Sequence, residues 1–292
     1  MSREILLIKN IKNIDKMGEY IREFETVSAY TTSRENDYSD PWVSWTEEND
    51  DTNYSKSDQQ KLEIPLTFKI LSDGNINWQA KSSSYVVTIE YSKNGGAWTA
   101  ITSSYNGNTI PVASGDTVRF RGNSPLNDGS TWDTHNAFKN STCKFKLRGN
   151  IMSLLDKQNF STMTDLSSYN YAFYNLFYGC TNLIDASELI LPATTLSSDL
   201  AYGNMFANCT QLINSPTLPA QTLTNRCYWH MFNGCMNLNC IKCLAVNHSA
   251  NLCTDSWCAG ISNRNGVFIK KLSATWATDV SGIPTGWSVV DI

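Results

Sequence analysis

Nine cysteines and three histidines are the side chains of this chain best suited to metal ligation, redox exchange or nucleophilic attack. Cys240-Ile-Lys-Cys243 has the spacing of half a zinc site, with Cys227, Cys235, Cys253 and Cys258 nearby. A structural zinc site ordinarily takes two such pairs, or one pair with two histidines; the sequence offers a single pair, at a place where the surrounding pattern calls for a strand. A redox Cys-x-x-Cys belongs to a βαβ setting that is lacking here. A catalytic triad needs a carboxylate to orient its imidazole. No Asp or Glu lies between Asp199 and Asp255, so His230 and His248 have no partner close in sequence, and His135 stands apart. The acidic run EENDD at 47–51 lacks the alternation and glycine of a calcium loop. No nucleophile elbow, phosphate loop or dinucleotide fingerprint is present. The expectation is a protein that is not an enzyme, with no catalytic residues, no metal and no cofactor.

The cysteines make more sense as part of a period. NLFYGCTNLI at 175–184 returns as NMFANCTQLI at 204–213 and as HMFNGCMNLN at 230–239. Phe177, Phe206 and Phe232 are thereby equivalent, as are Cys180, Cys209 and Cys235, and Leu183, Leu212 and Leu238, at spacings of 29 and then 26 residues. Such a period marks a stacked solenoid, in which no unit buries its own apolar face and neighbours do so for each other. Those nine residues are the expected repeat core. A cysteine recurring at one place reads as a small apolar filler, and the odd total favours free thiols. Tyr174, Tyr202 and Tyr228 also recur ahead of each phenylalanine; they read as packing, or alternatively as an aromatic ladder gripping sugar or peptide.

The Phe, Cys and Leu positions suit a helical or 3-10 turn entering an Asn-containing bend. LPATTL (191–196) and LPAQTL (218–223) follow, where each proline ends an extended stretch. Three additional residues at 188–190 should bulge or lengthen the first strand. Residues 151–173 read as an atypical cap, and 240–292 as a last degenerate strand at GVFIKK with a closing GIPTGWSVVDI.

Charge divides the chain into three blocks. Residues 1–60 carry 7 Lys/Arg against 13 Asp/Glu, 61–149 carry 10 against 6, and 150–292 carry 6 against 8. A net charge of −4 argues against non-specific nucleic-acid binding. No run of about 18 apolar residues predicts membrane insertion. The apolar core of the N-terminus, Ile5 to Ile8, is shorter than the roughly 7–15 residues of a secretory signal, which predicts synthesis in the cytoplasm. The first block reads as a charged docking arm with a short amphipathic helix over 9–25, whose Trp42 and Trp45 would anchor in a partner.

The middle block, 61–149, reads as a small Ig-like antiparallel β-sandwich, with strands at 64–71, 76–80, 85–92, 97–102, 116–122 and 143–149. Asn94-Gly95 marks a hairpin. The stretch 123–142 reads as a long exposed loop pinned by Trp132 and Phe138. The expected fold is therefore mainly β with short helical turns: an N-terminal arm (1–60), a small sandwich (61–149), and a leucine-rich-repeat solenoid with terminal caps (150–292).

The repeat units, with the terminal SGIPTGWSVV, resemble leucine-rich repeats of the Bacteroides surface-protein-A type. The block containing LTFKILSDGNINW, TIEYSKNGGAWTAI and VASGDTVRFRGN resembles the β-domain found ahead of such repeats in gut Bacteroidales proteins. REFETVSAYTTSRENDYSDPWVSWTEEN is similar to leader segments of structural proteins of phages infecting those bacteria, crAss-like phages among them. The likeness covers 62–292, and 20–50 in part; two full repeats and one partial copy are fewer than most members carry.

What the resemblance implies is a virion protein, a fibre or capsid-decoration component. It would be held to other virion proteins through residues 1–60, be present in many copies or as a homo-oligomer, and meet a host glycan or protein through its repeats. The alternative is a bacterial cell-surface adhesin. A polysaccharide depolymerase comes third, since glycoside hydrolysis needs paired carboxylates about 5–10 Å apart and acids are sparse in the repeats.

Overall fold

The computed structural model describes residues 58–292. Trp42, Trp45, the acidic run and nearly all of the expected arm lie outside the described residues. The fold is mainly β. A short helix α1 (Asp58–Leu62) leads into β1 (Leu66–Ile70), β2 (Gly74–Ala80), β3 (Thr88–Lys93), β4 (Thr99–Thr102), β5 (Asn108–Val112), β6 (Thr117–Arg121), β7 (Asn136–Ala137) and β8 (Phe145–Asn150). The second half supplies β9 (Leu183–Ile190), β10 (Asn214–Leu218), β11 (Cys240–Cys243), β12 (Val267–Lys270) and β13 (Ser288–Asp291). No helix among the described residues is long and apolar enough to cross a membrane.

In the first half, β4-β3-β6-β1-β8 form an antiparallel run and β5-β2-β7 a second sheet. Lys93 and Gly96 close the turn between β3 and β4 around Asn94 (φ 52°) and Gly95 (φ 73°). Both angles are positive, as the Asn-Gly pair predicts. β5 was not legible as a strand because it carries Pro111, which has no N–H; its place at a sheet edge accommodates this.

The sequence puts a boundary at 149/150. In the structure Gln59–Ile292 form one compact unit, with a sheet and a core continuous across that point. The join is made by β8. Along one edge it pairs antiparallel with β1, Phe68 opposite Leu147. Along the other it pairs parallel with β9, Phe145 opposite Leu183. The eight-residue β9 is lengthened, but its two register shifts fall between Leu183 and Glu188, ahead of the additional residues expected at 188–190, which pair regularly with Arg148 to Asn150. From β10 to β13 all pairing is parallel, and Ile213 N–H donates to Ile184 O to bring β10 beside β9.

Opposite the strands, each copy runs through consecutive tight turns. Alternate amides bond within the copy: Tyr174 to Tyr171 O, Leu176 to Phe173 O, Tyr178 to Asn175 O, Cys180 to Phe177 O. The amides between them reach the next copy: Phe173 to Ala201 O, Asn175 to Gly203 O, Phe177 to Met205 O, Gly179 to Ala207 O. The same alternation links the second copy to the third and the third to residues 252–261. Every backbone N–H of 173–180, 202–209 and 226–235 therefore has a partner, although the ribbon is neither helix nor strand. The turning requires positive φ at every fourth residue: Tyr171, Asn175, Gly179, then Leu200, Asn204, Asn208, then Arg226, His230, Gly234, then Leu252, Ser256, Gly260. No β-branched residue occupies any of these positions, where it would be most strained.

The nine expected core residues, Phe177, Cys180, Leu183, Phe206, Cys209, Leu212, Phe232, Cys235 and Leu238, are all at most 1 % exposed. Phe177, Phe206 and Phe232 stack with centroids 5.5 and 5.7 Å apart. Each cysteine also has a polar role. Cys180 Sγ donates to Phe138 O at 2.9 Å, Cys209 Sγ to Phe177 O at 3.1 Å and Cys235 Sγ to Phe206 O at 3.1 Å. A small polarizable side chain with one weak donor fits a dry column that must still satisfy a carbonyl.

Candidate recognition surface

The cross-copy amides fix which residues are equivalent. Phe138 N–H reaches Leu176 O as Phe177 reaches Met205 O, Phe206 reaches Met231 O and Phe232 reaches Trp257 O. Five rungs therefore exist, the first at Phe138 and the last at Cys258. The stretch read as an exposed loop holds the first rung: Phe138 is fully buried and touches the rings of Phe68, Trp78, Phe120 and Phe177. Asn140, at φ 61°, repeats the left-handed turn of Gly179, and Ser141 stands in the cysteine position, its hydroxyl donating to Phe138 O. The β-region itself covers the end of the array, so 151–173 is not the end cap expected of it.

The tyrosine column also shifts by one residue. Phe173, not Tyr174, is equivalent to Tyr202 and Tyr228, and their rings stack at 5.5 and 6.0 Å. Tyr202 and Tyr228 are at most 1 % exposed, and no described group reaches either hydroxyl. They are packing residues, not a gripping ladder. Burial pushes both phenols far above their ordinary values.

Three residues ahead of Phe138, Phe177, Phe206, Phe232 and Cys258 lies a column that changes at every step, with His135, Trp229 and Asp255 partly exposed and Tyr174 and Gly203 buried. Beside it runs Asn175, Asn204, His230, Ser256. Tyr174 Oη accepts from Asn204 Nδ2 at 3.2 Å, and Tyr178 Oη from Asn208 Nδ2 at 3.2 Å. Asn175 Nδ2 lies 3.3 Å from His135 Nε2, and Asn175 Oδ1, buried, has no described partner. Burial raises the Tyr174 phenol, opposed by the Asn204 and Asn175 amides. A methyl at Gly203 would come within 2.5 Å of Leu200 Cδ2 and 3.2 Å of Tyr174 Cδ2. Glycine there lets the Tyr174 ring approach the backbone of the next rung.

Charges along this face are internally paired. Arg226 Nη2 meets Asp199 Oδ2 at 3.0 Å, and His230 Nε2 lies 3.7 Å from Asp255 Oδ2. Asp255 is the carboxylate that sequence proximity could not give His230; the next rung delivers it. Burial nevertheless holds the His230 pKa below its ordinary value, against the pull of Asp255. The imidazole's other neighbours are Asn233 and the Trp229 ring, 4.1 Å away between centroids, and neither is a nucleophile. His248 Nε2 bonds with Thr275 O at 2.9 Å, and its ring lies 4.1 Å from that of Trp276.

The cysteine pair is not a chelate. Cys243 lies in the main core with Ile241, whereas Cys240 joins Val267 and Ile269 in a small cluster on the opposite face of β11. All nine thiols are buried and free, and burial pushes Cys143 up to about 11 and Cys227, Cys243 and Cys258 up to about 12. No group of three or more His, Cys, Asp or Glu able to hold a metal ion occurs among the described residues.

Sequence reasoning missed this variable column because it aligned the residues that repeat. The signal lay in those that do not: Tyr174, Gly203 and Trp229 occupy one register position of a period already known. No protein-family model, curated protein or solved structure matches the chain.

Proposed function

We propose that residues 150–292 are a leucine-rich-repeat solenoid set against a small Ig-like sandwich, and that the chain is a non-enzymatic recognition protein of a phage particle. In this reading it is a fibre or capsid-decoration component, docked through residues 1–60 and displaying its repeats to a host surface. The fold reading is supported by amides that bond from each copy to the next with constant register. The observation that carries the functional reading is the contrast between columns. Two buried columns repeat one chemistry, Phe over Phe and Cys over Cys, while the column three residues ahead differs at every rung and reaches the surface at His135, Trp229 and Asp255. An invariant scaffold carrying a changing face is the arrangement of a recognition surface. Weak contacts of one chain would be multiplied by many copies on one particle. The test is mass spectrometry of purified particles from a lysing culture that expresses the chain. Its peptides should copurify with the capsid and tail proteins; their absence removes the reading.

A further inference from the structure

We propose that Asn265 is a site of spontaneous deamidation, and that its conversion loosens the pairing of β12 with β13. The chain holds four Asn-Gly pairs, Asn94-Gly95, Asn106-Gly107, Asn233-Gly234 and Asn265-Gly266. In each, the glycine has no side chain to hinder attack of its amide nitrogen on the asparagine side chain. The ring closes readily only where the asparagine amide is free to turn and no acceptor holds the glycine N–H.

Three of the pairs are blocked. Asn94 Nδ2 donates to Asp116 Oδ1 at 2.7 Å and Asn94 Oδ1 accepts from Thr117 N–H at 2.8 Å, so that amide is held at both ends. Gly107 N–H donates to Ser104 O at 3.0 Å, and Gly234 N–H to Ala259 O at 2.7 Å. Asn265 differs from all three. It is exposed, no described group bonds its side chain, and Gly266 N–H reaches no described acceptor. Packing also fixes the glycine, since a Cβ at 266 would collide with the Trp287 indole.

In the reaction Gly266 N bonds to Asn265 Cγ and the Cγ–Nδ2 bond breaks. Nδ2 leaves as ammonia, carrying the proton that Gly266 N gives up. Water then opens the succinimide. Addition at Cγ leaves aspartate; addition at the main-chain carbonyl carbon leaves isoaspartate, with the chain rerouted through Cβ and Cγ. The rerouted backbone is longer by one methylene, inside a turn that is pinned on both sides. Trp287 Nε1 donates to Asn263 O at 2.8 Å, Ser288 N–H to Gly266 O at 2.9 Å and Val267 N–H to Asn239 O at 2.8 Å. A lengthened span cannot keep all three anchors. β13 depends on them most, because it lies at the sheet edge with three of its four residues exposed.

The test incubates the full chain at pH 8 and 37 °C and follows each Asn-Gly peptide by mass spectrometry, with isoaspartate read by isoaspartyl methyltransferase labelling. Asn265 should convert an order of magnitude faster than Asn94, Asn106 and Asn233. In denaturant, where the hydrogen bonds that block the other three are gone, all four should convert at similar rates. Hydrogen exchange over 286–292 should quicken in the aged protein. It should not change in aged Asn265→Gln, which should melt with the wild type because the Asn265 side chain has no described partner. Conversion of Asn265 no faster than the other three in native protein, a preference for Asn265 that persists in denaturant, or unchanged exchange over 286–292 after conversion overturns the proposal.

Discussion

The rings of Phe138 and Phe177 stack 5.9 Å apart and within 13° of parallel, although one belongs to the β-region and the other to the first repeat. With β8 paired on both edges, this contact makes the two halves a single cooperative structure. Phe138→Ala would remove contacts to four rings at once. We expect a loss of about 3–5 kcal/mol, the usual range for truncating a buried phenylalanine. Urea unfolding monitored by fluorescence and by far-ultraviolet dichroism should remain one coincident transition at lower midpoint. Two separated transitions would show that the halves fold independently.

Much of this architecture was legible in the sequence, and what was not has a definite cause. The repeat core was readable because stacked copies demand one side-chain shape at one spacing, as at Phe177, Phe206 and Phe232. Most strands of the first half were readable from alternation. The rung at Phe138 was hidden because Ser141 replaces the marker cysteine and its interval to the next copy is longer. The variable column of His135, Tyr174, Gly203, Trp229 and Asp255 was hidden because it carries no periodic signal at all. The pairing of His230 with Asp255 depends on stacking, which brings residues of successive copies together whatever their separation in sequence.

Burial also determines how the cysteines behave. A thiol reacts as its thiolate; all nine are buried, and desolvation disfavours that form at Cys143, Cys180, Cys209, Cys227, Cys235, Cys243, Cys253 and Cys258, with Cys143 raised to about 11. Titration of native protein with a disulfide reagent at pH 8 should modify none of the nine within minutes. The same titration in denaturant should modify all nine. Rapid native labelling of Cys180, Cys209 or Cys235 would mean that the Phe–Cys column is open to solvent.

Tyr202 and Tyr228 bury hydroxyls that no described group reaches, whereas the equivalent residue in the Phe177 rung is Phe173. A buried hydroxyl without a partner costs about 1–3 kcal/mol. Tyr202→Phe keeps the ring and removes that cost, so it should raise stability by about 1 kcal/mol and the melting temperature with it. A fall in melting temperature would show that the hydroxyl has a bonding role.

Glu90 ties β3 to the chain beyond β8: Lys157 Nζ lies 2.8 Å from Oε1 and Arg121 Nε 2.6 Å from Oε2. Lys157 and then Arg121, through hydrogen bonds to the carboxylate, hold its pKa below the ordinary 4.5. A depressed folded-state pKa means that the unfolded chain takes up the proton first as the medium is acidified. The stabilisation is therefore complete above the unfolded value near 4.5 and is lost as the pH falls through the lower folded value. The group is partly exposed, so solvent screening keeps the contribution to about 1 kcal/mol. Glu90→Gln should lower stability by that amount at pH 7 and by less at an acid pH below the depressed folded-state value, where the wild-type carboxylate is also neutralised. Equal differences at both pH values, from denaturant titrations of the two proteins, would assign the loss to packing and not to charge.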